Sequence, residues 1–164
     1  MAVRFNIVLL LWLVTLPAIS ADGPGVDDGA ALIQELEYGE AFSVLEPLAS
    51  QGDARAQVLI GHMYQYGHGI DQDINKAESW YRKAAEKWDA NGMYMLGLFY
   101  INEASGTYYN QQRGFLWVRR AAHANNPHAQ QFLIKSYTYG WIGLQVDADK
   151  AAYWQQRYRD NSSS

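Results

Sequence analysis

The sequence predicts an all-α fold, a right-handed α–α superhelix (a solenoid) of stacked helix–turn–helix repeats. Three observations carry that expectation: one long internal period, helical spacing of apolar residues within each period, and glycine-rich breaks between the helices. Trp80, Trp117 and Trp154 stand 37 residues apart, and Gly69, Gly106 and Gly143 keep the same interval. So do Ala77, Gly114 and Ala151, and Lys83, Arg120 and Arg157, while Ala84-Ala85 returns as Ala121-Ala122. Tyr64, Tyr100 and Tyr137 step by 36 and then 37 residues, which places one inserted residue in the connection of the second unit. A fixed period of this length marks arrays in which each helix pair cannot bury its own apolar face and must stack on a neighbour.

The elements follow in order. Residues 1–21 read as a secretory signal peptide: Arg4, an apolar run from Ile7 to Leu16, then Pro17 and small residues suited to cleavage after Ser20 or Ala21. The run is short of the roughly 20 apolar residues that span a bilayer, so no stable membrane span is expected after cleavage; the competing reading is an uncleaved anchor. Residues 22–29, with Gly23-Pro24-Gly25, read as a flexible lead. Residues 30–52 form an N-terminal capping pair, Ala30 to Tyr38 and Glu40 to Ser50, pivoting at Gly39. Repeat 1 covers 53–88: Asp53 caps a helix over Ala54 to Gln65, Tyr66-Gly67-His68-Gly69 breaks it, and Asp73 caps a second helix. Repeat 2 covers 89–125, with helices near 91–102 and 111–124. Repeat 3 covers 126–160, with Asn126 as cap and Pro127 as first helical residue. Residues 161–164 read as a disordered tail.

Within this frame the repeated tryptophans are expected to fill the space between units. Ala84, Ala85, Ala121, Ala122, Gly61 and Gly97 let helices approach closely. With no cysteine in the chain, stability rests on packing alone.

Composition excludes several functions. Removing residues 1–21, whose only charge is Arg4, takes the formal net charge from −4 to −5. A mildly acidic chain with scattered charges lacks the basic footprint of a nucleic-acid binder. There is no phosphate-cradling loop ending in Lys-Ser or Lys-Thr, no His-Glu-x-x-His and no Gly-x-Ser-x-Gly, so no catalytic residue and no cofactor are assigned. No metal site is assigned either: His62 and His68, and His123 and His128, are not spaced to share a helical face. Glu35, Glu37, Glu40 and Glu46 read as a solvated face.

The residues from Ala56 to Ile70 (AQVLIGHMYQYGHGI) and from Asp73 to Ala85 (DINKAESWYRKAA) resemble the two halves of a Sel-1-like repeat. Tyr38 to Gln57 is similar to the lead-in that precedes such repeats, and the resemblance covers about 38–158. The second unit departs from it at Glu103-Ala104-Ser105 and Gly92, and the third at Ile134 and Gln155-Gln156-Arg157-Tyr158. The resemblance implies a superhelix related to tetratricopeptide arrays, a non-enzymatic adaptor or scaffold role, and, for exported members, a place in envelope assembly, secretion or host contact in the periplasm or outside the cell.

Such stacks receive partners on the concave face lined by the first helix of each unit. The residues expected there are Arg55, Val58, His62, Gln65 and Tyr66 in the first unit, and Asn91, Tyr94, Leu98, Ile101 and Asn102 in the second. In the third they are His128, Gln131, Lys135, Thr138 and Tyr139. A mixture of aromatic anchors and adaptable polar groups is what protein interfaces favour. Tyr108, Tyr109 and Trp141 are further exposed-aromatic candidates on loops. The expected partner is a protein or peptide segment. The alternative is a protein that binds or hydrolyses β-lactam or peptidoglycan fragments, like the cysteine-rich Sel-1-like proteins. This chain lacks their cysteine pairs.

Overall fold

The computed structural model describes residues 23–102 and 108–163, without the side chains of Tyr108 and Tyr109. The signal segment read at 1–21 lies outside the described residues, as do Gly106 and the inserted residue of the second unit.

Among the described residues eight α-helices follow one another: α1 Val26–Gln34, α2 Tyr38–Gln51, α3 Ala54–Tyr66, α4 Ile74–Glu86, α5 Ala90–Asn102, α6 Tyr108–His123, α7 Pro127–Tyr139 and α8 Ala148–Ser162. A short 3-10 turn, Trp141–Gly143, precedes α8. Each odd helix pairs with the even helix after it, and the even helix then packs on the next unit. The odd helices of neighbouring units also touch, α1 with α3 and α3 with α5. The result is the stacked-pair solenoid that the period predicts.

Local chemistry sets the helix starts. Asp53, Asp73, Asn126 and Asp147 cap α3, α4, α7 and α8, each accepting the backbone N–H three residues on. Asp89 does the same for α5, through Gly92 N–H at 2.6 Å. These caps satisfy donors that a helix leaves unpaired. Gly67 and Gly140 end α3 and α7 in the left-handed region, turning the chain back over the helix it has just left.

Small residues then permit the close approach of helices. A Cβ on Gly61 would lie 2.8 Å from the Tyr81 ring, and one on Gly114 would lie 2.5 Å from the Gly97 carbonyl. Backbone therefore meets backbone where α5 crosses α6. Between units, buried Gln57 donates to the Ala49 carbonyl at 3.0 Å and buried Gln130 to the Ala122 carbonyl at 3.1 Å. Each glutamine adds a second donor to a carbonyl that already accepts from the Gly52 or Asn125 N–H, tying one unit to the next.

Two series of cations stacked on aromatic rings run in register with the repeat. Lys83, Arg120 and Arg157 sit over Trp80, Trp117 and Trp154, at 3.7, 4.6 and 5.9 Å from the ring centroids. Lys76, Arg113 and Lys150 sit over Tyr64, Tyr100 and Tyr137, at 5.0, 4.3 and 5.4 Å. The first series explains how Trp80 and Trp117 differ from expectation. Both are only half-buried, their outer faces covered by a cation; Trp154, 4 % exposed, is the one that enters the core.

Other boundaries are corrected. The first helix starts at Val26, not residue 30, because Gly29 lets α1 lie against Leu45, whose side chain is 2.5 Å from a Cβ built there. The capping pair turns at Leu36, φ 66°, and Gly39 lies inside α2. The tail from residue 161 is helical through Ser162, held by Asn161 donating to Asn125 and Gln130 at 3.2 Å each. Position 108 opens α6, so Tyr108 and Tyr109 stand in its first turn rather than on a loop.

Candidate partner-binding face

On an α-helix, positions i, i+4, i+7 and i+11 line one stripe. In α3 this stripe is Arg55, Leu59, His62 and Tyr66; in α5 it is Asn91, Met95, Leu98 and Asn102; in α7 it is His128, Phe132, Lys135 and Tyr139. Every one of these residues is exposed or half-exposed. Stacking lays the stripes side by side. Arg55 forms an ion pair with Asp27 of α1. Asn126 at the head of α7 donates to Asn91 at 2.7 Å, and the Tyr94 and His128 rings stack at 6.1 Å.

Most of the expected residues share this face, and the exceptions turn to one of two other sides. Gln65, Ile101 and Thr138 lie about 60° back from the stripe, on the side of the even helix. Gln65 is buried, 6 % exposed, with its Oε1 accepting from Tyr81 at 2.8 Å. It belongs to the interior of the first unit and is removed from the binding set. Ile101 turns toward Gly114, and Thr138 donates to the Ile134 carbonyl at 2.7 Å. Val58, Tyr94 and Gln131 face the following unit: Val58 packs on the core, and Gln131 donates to Tyr158 of α8 at 2.6 Å. Leu59, Met95 and Phe132 belong to the face and escaped the sequence reading, although a strict stripe would have included them.

Two aromatic clusters stand on the face. At its start His68 stacks on Tyr38 at 4.6 Å and on Tyr66 at 5.8 Å, and His62 lies 4.5 Å from Tyr66 and 5.6 Å from His68. Sequence spacing separates His62 from His68; the left-handed turn at Gly67 brings them together. Burial holds the His62 imidazole below its ordinary pKa of 6.5, and the nearby His68 adds to the effect. At the far end Trp141, which follows the Gly140 cap as His68 follows Gly67, packs on Tyr139 at 6.2 Å and Phe132 at 6.3 Å. Trp141 is therefore part of the same face. Tyr94, His128, Gln131, Phe132, Lys135 and Trp141 enclose a cleft of about 120 Å³. Burial raises the pKa of the Tyr94 phenol.

A separate cleft of about 290 Å³ lies between α6 and the α7–α8 turn and contains none of the expected partner residues. No group of three or more His, Asp or Glu among the described residues is placed to hold a metal ion. No described helix is long and apolar enough to cross a membrane.

The description "Sel1 repeat" matches the chain over residues 54–87, 90–126 and 129–157. Chitin synthase regulatory factor 3 of Schizosaccharomyces pombe is 28 % identical over 57 % of this chain and 10 % of its own length. The ERAD-associated E3 ubiquitin-protein ligase component HRD3A of Arabidopsis thaliana is 35 % identical over 50 % of this chain and 12 % of its own. The chain thus spans about a tenth of the length of these curated relatives. A crystal structure of a Sel1 repeat protein from Oxalobacter formigenes superposes with a TM-score of 0.69 at 30 % identity, covering 84 % of this chain and 56 % of that one. A protective antigen of uropathogenic Escherichia coli strains gives 0.66 at 19 % identity, covering 83 % and 31 %, and shares the fold.

Proposed function

Because the chain belongs to the Sel1 repeat family, whose members serve in general as non-enzymatic protein-interaction scaffolds, we propose that it receives a peptide or protein segment on the face formed by α3, α5 and α7. One observation carries this reading. The three helices present twelve aligned exposed or half-exposed positions that mix aromatic anchors with polar groups, ending in Tyr139 at 67 % exposure. Large aromatic side chains left largely in water at the end of a stripe lie outside the buried core, and they are the residue type that dominates binding energy at interfaces. Two relatives are a chitin synthase regulatory factor and a ubiquitin-ligase component, which accords with an adaptor role.

Replacing Tyr66, Tyr94 and Tyr139 together by alanine tests the reading in a quantitative pull-down. Tyr66 and Tyr139 are exposed, so a thermal melt is expected to shift only through Tyr94, while partner recovery drops by at least about ten-fold. Undiminished recovery with the folded triple variant rules the face out.

We further propose that this scaffold acts in the periplasm or outside the cell, in an envelope-associated assembly, on the strength of the signal-like segment at 1–21. Mass spectrometry of the protein purified from its native host is expected to find a mature N-terminus at Ala21 or Asp22. An intact Met1 in the cytoplasmic fraction contradicts export.

A further inference from the structure

We propose that the cleft between α5 and α7 binds an aspartate or glutamate side chain of the partner, so that the segment received on this face is an acidic one. The proposal rests on the reading of the face as a protein-binding surface and adds the chemistry of the ligand.

Charge distribution is the first observation. The chain holds 17 Asp and Glu residues, yet α3, α5 and α7 contain none in three complete helices. Three described carboxylates that flank these helices are already committed. Asp53 and Asp89 accept the N–H groups of Ala56 and Gly92 as helix caps, and Asp147 pairs with Lys150 at 2.7 Å. The cations on these helices are Arg55 and Lys135, with the histidines His62 and His128. Arg55 is matched by Asp27. Lys135 takes part in none of the ion pairs among the described residues. In an acidic protein, the three helices of the binding face thus carry no carboxylate of their own, and among the described residues Lys135 is their one cation outside an ion pair.

The cleft supplies the second observation. Its volume of about 120 Å³ accommodates a single side chain; it is well below the roughly 300 Å³ at which drug-sized sites begin. Lys135 lines it together with the stacked Tyr94 and His128 rings and the packed Phe132 and Trp141 rings. Aromatic rings flank the Lys135 ammonium, and a hydrogen bond from a cation to a carboxylate is stronger than one between neutral groups. The Tyr94 phenol also lines the cleft and is a second hydrogen-bond donor. Gln131 lends its Nε2 to Tyr158, so it walls the cleft rather than serving it. Asn91 lies toward one end of the stripe and Tyr139 toward the other, which lets a polypeptide continue past the cleft in both directions. A side chain therefore suits the site better than a chain terminus.

Selection of a random peptide library on the full-length protein tests this, with the peptides displayed through their C-termini so that no terminal carboxylate is free. The selected peptides are expected to be enriched in aspartate and glutamate. Their binding is expected to weaken about ten-fold on Lys135→Gln, to survive Lys135→Arg, and to lose strength as salt is raised. Lys135→Glu is expected to shift selection toward lysine- and arginine-containing peptides. Selected peptides that are not acidic, yet are lost when Tyr66, Tyr94 and Tyr139 are replaced, overturn the acidic ligand and leave the binding face standing. Acidic peptides indifferent to all three Lys135 variants overturn it as well. A parallel library with free C-termini that alone yields Lys135-dependent binders assigns the cleft to a terminal carboxylate and overturns the side-chain proposal. Peptides indifferent to both Lys135 and the tyrosines overturn the face itself.

Discussion

Single residues show where this chain departs from the most stable choice. Trp88 joins the first repeat to the second in the left-handed region, φ 61°, where the equivalent junctions use Gly52 and Asn125. A bulky residue there carries backbone strain of about 1–2 kcal/mol, and at 76 % exposure its indole recovers little by burial. Trp88→Gly is therefore expected to raise stability by about 1 kcal/mol in urea denaturation. His62 gives a pH dependence. Its folded-state pKa lies below 6.5, first through burial and then through His68, so on acidification the unfolded chain takes up the proton first. The contribution of neutral His62 is complete above pH 6.5 and is lost as pH falls from there through the lowered value. The thermal midpoint is expected to drop across that interval, and His62→Gln to flatten the drop. The repeated tryptophans are not equivalent. Trp154→Ala is expected to cost about 3–5 kcal/mol because the ring is buried, and Trp80→Ala less than half of that because its outer face carries Lys83 rather than core. Equal losses at the two positions contradict this.

At the scale of the element, the close crossings set the geometry. Gly97 and Gly114 face each other where α5 meets α6, with no room for a methyl group on either. For Gly114 the nearest obstructing atom is the Gly97 carbonyl oxygen, at 2.5 Å, and backbone cannot swing aside as a side chain can. Gly114→Ala is expected to destabilise by about 1–3 kcal/mol, whereas Gly39→Ala, open to solvent, is expected to be neutral or slightly stabilising by helix propensity. Chemical denaturation of the two variants decides it. Elements were legible wherever their cause is local. Asp53, Asp73 and Asn126 act on N–H groups three residues away, and Gly67 supplies its own left-handed turn, so a linear reading finds them. Elements governed by tertiary contact were not. Gly29 looks like a breaker but serves the packing of Leu45, and Leu36 takes a left-handed turn that leucine alone would not suggest. Asn161 remains helical because Asn125 and Gln130 hold it from another helix.

At the scale of the whole molecule, the period was legible because one packing solution is used three times, and each copy needs the same ring, cation and small residue at the same place. Lys76, Arg113 and Lys150 carry that logic into a second series that shows only once the rings of Tyr64, Tyr100 and Tyr137 are placed beneath them. The face was legible in outline from helical phase. Its inner edge was not, because whether Gln65 turns outward or toward Tyr81 is settled by the even helix. Trp141 and His68 joined the face only through the glycine turns that fold them back. The most direct measurement is site-specific photo-crosslinking in cells, comparing probes at Tyr66, Asn102 and Tyr139 with probes at the exposed even-helix positions Ser79 and Arg119. One shared crosslinked polypeptide is expected from the first three and none from the other two. The same adduct from Ser79 and Arg119, with none from the odd-helix positions, contradicts it.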